Sequence, residues 1–183
     1  MTEKLYFIIS MLIFGSIGLI VREIPLSSAQ IALIRGVIGS LFLIIAGIIM
    51  KKKPSFKTIK MNFTYLLLSG AALGFNWILL FEAYRNTTIT NATLSYYLAP
   101  VIVVFLSPFL LKERLTLRKV FSVLVAMLGM FLVVWTGGDG GLYSKELIGI
   151  GFGLGAAVLY AMVMILNKLI KNMNGLETTI IQL

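Results

Sequence analysis

The chain has no cysteine and no histidine, and its seven acidic residues stand against sixteen basic ones. The missing cysteine and histidine exclude disulfides, thiolate nucleophiles and the common Cys/His zinc sites. With carboxylates this scarce, no pair of them falls inside an apolar run. A membrane enzyme acting on lipid would therefore lack its acid–base groups. No Walker loop is present to point to ATP hydrolysis. Charge is absent over long lengths: the 26 residues from Asn86 to Leu111 carry none.

That run exceeds the ~20 apolar residues that carry a helix across a bilayer. Similar charge-free runs cover Leu5–Val21, Met61–Phe81, Val120–Gly138 and Leu147–Asn167, and a further one, about Ser28–Met50, is interrupted only by Arg35. A seventh helix begins near Leu176. Hydrophobic residues make up 59% of the chain and the mean hydropathy is +0.99, where soluble chains are about 45–50% apolar. The runs are continuous, without the alternation of a barrel strand. The expected fold is an all-α polytopic membrane protein with six transmembrane helices and the start of a seventh. No small-residue cleavage site follows Val21, so the first run reads as a retained helix.

The net charge of +9 is distributed by connection. Lys4, the Lys51–Lys60 group, Lys112, Arg114, Arg118, Lys119, Lys168 and Lys171 fall on one side. Only Arg22, Arg85 and Lys145 fall on the other. A nucleic-acid partner is not implied. The positive-inside rule puts the rich side, with the N-terminus, in the cytoplasm of a cell (plasma) membrane protein. The Lys51–Lys60 cluster reads as a topology signal or as an anionic-lipid site.

Glycines 149, 151, 153 and 155 lie inside an apolar span with no following Lys-Ser/Thr, which argues against a nucleotide loop. Gly70/Gly74, Gly149/Gly153, Gly151/Gly155 and Ala32/Gly36 are small pairs four residues apart, suited to close helix packing in lipid. The connections are short, and 137–146, with its Gly137–Gly141 run, is the most flexible linker. It follows five spans, so a second five-helix unit would enter the membrane from the opposite side. PLSSAQIALIRG after the first span and GLETTIIQL after the sixth form a faint repeat.

YYLAPVIVVFLSPFLLKERLT resembles the end of helix four and the following turn in the EamA-type family of the drug/metabolite transporter superfamily. NWILLFEAYRNTTITNATLS resembles its helix three and the start of helix four, and Arg35 resembles an arginine of its helix two. The resemblance implies ten helices in two inverted five-helix repeats and transport, commonly export, of small metabolites. Residues 1–136 would then be the first repeat, 137–146 the linker and 147–183 the opening of a second, truncated one. The chain is expected to be a fragment or a truncated product. A homodimer or a second chain would supply the missing helices.

Arg35 is costly inside a membrane and reads as a substrate ligand, or as a side chain snorkelling outward or bonded to a carbonyl. Glu82, near the end of its span, is an interfacial residue, a coupling group or an ion-pair partner for Arg35. Asn76 lies ~22 Å into its span and needs a partner from a helix or a ligand. Trp77, Tyr96 and Tyr97 line a substrate cavity, anchor at the interface or simply pack. Pro100 withdraws a donor from the carbonyl of Tyr96 and bends its helix. No cofactor or metal is implied. Two functions fit: a secondary transporter of small metabolites such as amino acids, working by alternating access, or a truncated, non-transporting membrane subunit or regulatory partner.

Overall fold

The computed structural model describes residues 2–50, 55–112, 115–136 and 144–183. The linker's Gly137–Gly141 run and the Lys51–Lys53 part of the basic cluster lie outside these. The described residues form only helices: α1 (Thr2–Glu23), α2 (Ser28–Ile49), α3 (Phe56–Asn86), α4 (Ile89–Tyr96), α5 (Ala99–Leu110), α6 (Leu117–Thr136), α7 (Ser144–Leu169) and α8 (Gly175–Gln182). Five stretches among them are long and apolar enough to cross a membrane: Lys4–Glu23, Ser28–Ile49, Phe56–Asn86, Ile89–Leu110 and Lys145–Leu169. The fifth charge-free run forms α6, a helix of 20 residues.

Local chemistry sets the helix ends. Ser27 caps α2: its Oγ accepts from Gln30 N (3.3 Å) while Gln30 Oε1 accepts from Ser27 N (2.8 Å). Asn174 and Glu177 build the same reciprocal box at α8, at 2.9 and 3.0 Å. Each box satisfies two donors that a helix start leaves orphaned. The two caps are alike in chemistry, Ser27 standing to Gln30 as Asn174 stands to Glu177.

The Asn86–Leu111 run is one span made of two helices. Pro100 has no N–H, so the Tyr96 carbonyl loses its helical donor. The chain turns at Tyr97–Leu98, where Leu98 N reaches only as far back as Ser95 O (3.3 Å), and α5 restarts with Pro100 in its first turn. Pro108 removes a second donor, from Val104 O. There the Ser107 hydroxyl donates instead, at 3.0 Å. α5 passes its second proline unbroken because the neighbouring serine satisfies the freed carbonyl.

α3 and α7 are the central pair, with 39% of each apolar window buried against 12% for α1 and 17% for α2. They run antiparallel. Asn62 meets Lys171, Asn76 meets Ala156 and Thr87 meets Gly149. α1 ends where α3 ends, since Arg85 bonds the carbonyls of Ile24 and Leu26. α1 and α7 therefore cross in opposite directions.

The glycine pairs divide by partner. A Cβ on Gly149 would sit 2.6 Å from Thr87 Cβ, and one on Gly153 would sit 2.8 Å from Ser95 Cβ, so this pair does carry close packing. A Cβ on Gly70 would sit 2.8 Å from the backbone oxygen of Gln182. Gly36, Gly74 and Gly151 meet nothing within 4 Å, contrary to the packing expected from their spacing. The first two line a groove of about 420 Å³ between α2, α3 and α8. The spacing supplies a flat face, but only a neighbour at that height turns it into a contact.

Candidate functional site

Trp77, Phe81 and Tyr84 follow one another on α3 at spacings of four and three, which puts them in one stripe. Arg35 of α2 lies over that stripe. Its Cζ is 4.5 Å from the Trp77 ring centroid and 6.0 Å from that of Phe81. A guanidinium stacked on an indole is stabilised by the ring's negative face, by about 0.5–2 kcal/mol as the pair leaves water. Arg35 is half-buried. The Tyr84 and Tyr96 hydroxyls lie within its electrostatic reach. Glu82 does not. Its Oε2 accepts from Asn86 Nδ2 at 3.4 Å, and no ion pair joins it to Arg35 among the described residues. Residue 82 leaves α3 on a different side from residues 77, 81 and 84.

Asn76 is fully buried beside this wall. Its Nδ2 donates to Ala156 O of α7 at 2.6 Å. Its Oδ1 has no partner. The Tyr96 hydroxyl lies close to the same amide. Tyr96 itself stacks on Tyr160 of α7, with centroids 5.3 Å apart and planes tilted by 34°. Arg35, Trp77, Asn76 and Tyr96 thus come together from α2, α3 and α4, and α7 backs them.

Tyr97 parts company with this group. Its ring is 6.3 Å from that of Tyr96, yet it is 55% exposed. It lines a separate groove with Pro100, Val104 and Ser122, between α5 and α6. Successive residues leave a helix on different sides, which separates the neighbours. Tyr160 is the residue the sequence did not single out. A signal was available: it lies about 20 Å into its apolar run from Leu147, deeper than the ~15 Å that separates Tyr96 from Asn86.

The chain that carries this wall of one arginine, one buried amide and four aromatic rings can be placed among known proteins. The profile of the EamA-like transporter family matches residues 1–135. The chain belongs to that family. EamA-like proteins are multi-pass membrane transporters, not enzymes. An uncharacterized transporter, YxxF, of Bacillus subtilis is 33% identical over 181 residues, 99% of this chain and 58% of its own length. The protein RarD of Salmonella typhi is 32% identical over 87 residues, covering 48% of this chain and 29% of its own. Solute carrier family 35 member G1 of Mus musculus is 27% identical over 92% of this chain and 48% of its own. The chain spans about half the length of the curated relatives it matches over most of its residues. No solved structure matches.

Proposed function

We propose that residues 1–183 supply one half of a secondary transporter that moves small metabolites, such as amino acids, by alternating access, most naturally as an exporter. The observation that carries this reading is Arg35. It is a cation within an apolar helix, held over Trp77 and not neutralised by Glu82. Intramembrane charge is expensive and is retained where it meets substrate or ions. A guanidinium fork suits a carboxylate. The unpartnered Oδ1 of Asn76 adds an acceptor for an ammonium or hydroxyl group.

The proposed architecture is an inverted repeat, with residues 1–136 as its first half and α7–α8 opening the second. The opposite directions of α1 and α7 and the paired caps of α2 and α8 support it. In such transporters the site lies between the halves, so this chain contributes one wall. The second reading is a non-transporting membrane subunit or regulatory partner.

One reconstitution tests both. Liposomes carrying the 183-residue chain should show no flux of candidate amino acids. Flux should appear when the remaining helices are supplied, fused or as a separate chain. In that restored protein Arg35→Ala should lower flux of an anionic or zwitterionic solute at least tenfold, the loss of one charged hydrogen bond, while Lys57→Ala leaves it unchanged. No flux from any pairing would favour the subunit reading, and equal effects of the two substitutions would remove Arg35 as a ligand.

A further inference from the structure

Only three basic residues, Arg22, Arg85 and Lys145, belong to the sparsely charged end of the chain. They are far apart in sequence, yet all three line a single pocket of about 380 Å³, together with Thr87, Thr88 and Glu146. Like charges gathered at short range repel. One carboxylate cannot balance three cations, and among the described residues no ion pair joins Glu146 to any of them. Glu146 has its own reason to be there: it stands in the first turn of α7, where a carboxylate suits the positive end of a helix.

Two backbone features build the pocket. Gly149 lets α7 lie against the α3–α4 turn, where a Cβ would come within 2.7 Å of Thr87 N. Lys145, one turn earlier on α7, is thereby carried to the rim. Arg85 is held from the other side, its Nη2 donating to Ile24 O at 3.3 Å and to Leu26 O. That anchor draws the end of α1, with Arg22, to the same place. Thr87 is 4% exposed, and its Oγ1 has no hydrogen-bond partner. Arg85 Nε is likewise buried and unpartnered. Native structures leave few such groups unsatisfied, and each asks for a reason.

We propose that this pocket is an anion site for a phosphate-type group. Thr87 Oγ1 and Arg85 Nε donate from its floor, and Arg22 and Lys145 donate from its rim. A tetrahedral oxyanion presents several acceptor oxygens and no competing cation, and charged donors bind it strongly. The same chemistry is offered by the phosphodiester of a lipid headgroup and by a free phosphorylated solute. The site is separate from the Arg35 wall and does not depend on transport.

The test uses the whole chain. One arm holds it in maltoside micelles, which carry no phosphate, and titrates inorganic phosphate by calorimetry. The other holds it in nanodiscs of phosphatidylcholine and phosphatidylglycerol and counts co-retained lipid by native mass spectrometry. Arg22→Gln/Lys145→Gln removes two exposed charges without touching the core, and Thr87→Val removes the buried hydroxyl at nearly constant volume. Lys57→Gln/Lys60→Gln, at the other end of the bundle, makes the same charge change. Binding in the double rim variant should weaken at least tenfold, the scale of losing a charged hydrogen bond. Thr87→Val should also weaken it, and the control should match wild type. Loss confined to the phosphatidylglycerol arm identifies a lipid headgroup, and loss in the phosphate arm a free anion. No wild-type binding in either arm, unaltered binding in the rim and Thr87 variants, or an equal loss in the control would overturn the proposal.

Discussion

Single residues decide where polarity is tolerated inside this bundle. Asn76 spends its amide hydrogens on the Ala156 carbonyl, across the central helix pair. Asn76→Ala should therefore destabilise the chain by about 1–2 kcal/mol, the scale of an interhelical hydrogen bond in a membrane protein. Thermal unfolding in detergent measures that loss. Arg35, Asn76, Trp77 and Tyr96 were legible in the sequence because a charge, an amide or a deep aromatic ring is conspicuous in an apolar run. Their assembly into one wall was not, since no spacing rule relates residue 35 to residue 77. Tyr84 went unremarked because it lies past Glu82, beyond the end of its charge-free run, and Tyr160 did although it lies deep inside its own. Tyr97 drew notice as the neighbour of Tyr96, and adjacent residues on a helix do not share a face.

Helices come next in scale, and their breaks are as informative as their lengths. Ser107→Ala should cost about 0.5–1.5 kcal/mol, the net worth of one hydrogen bond, because the Val104 carbonyl beside Pro108 loses its donor. In a Pro108→Ala background the same change should cost nearly nothing, since the alanine restores an N–H to Val104. A double-mutant cycle on unfolding reads the difference directly. Gly149→Ala should destabilise by about 1–3 kcal/mol through overpacking, because a Cβ there meets Thr87 at 2.6 Å. Gly151→Ala, facing nothing within 4 Å, should be neutral or slightly stabilising by the same melt. The sequence marked every long helix by its lack of charge and marked Pro100 as the interruption. It could not say which of the small pairs had a neighbour, because that depends on the heights at which helices cross. It also fell short on the length of α3. That helix runs 31 residues, about 46 Å and well beyond a ~30 Å hydrocarbon core, so its charged ends lie where charge is no longer costly.

The whole molecule shows apolar side chains along α1, α2 and the outer faces of α5 and α6, including Tyr6, Leu12, Phe42 and Phe109 at more than 60% exposure. Those faces suit lipid tails, which are as apolar as the side chains themselves. Orientation across the bilayer rests on charge. With the N-terminus inside, Lys57→Cys should resist an impermeant thiol reagent in intact cells and Lys145→Cys should react. The chain has no other thiol to confuse the readout. The reverse labelling pattern would invert the topology. The central pairing of α3 with α7 has one more consequence, and it lies in time. The partners of α3's buried polar groups (Lys171 O for Asn62, Gln182 for Ser69 and Ala156 O for Asn76) all belong to the last quarter of the chain. Roughly 80 residues of synthesis separate the end of α3 from these partners, about 4–16 s at 5–20 residues per second. Over that interval Ser69 can bond its own Tyr65 carbonyl and Asn62 its own Thr58 carbonyl. For Asn76 the folded chain shows no local bond of this kind, and the carbonyl that its amide does meet arrives only with α7.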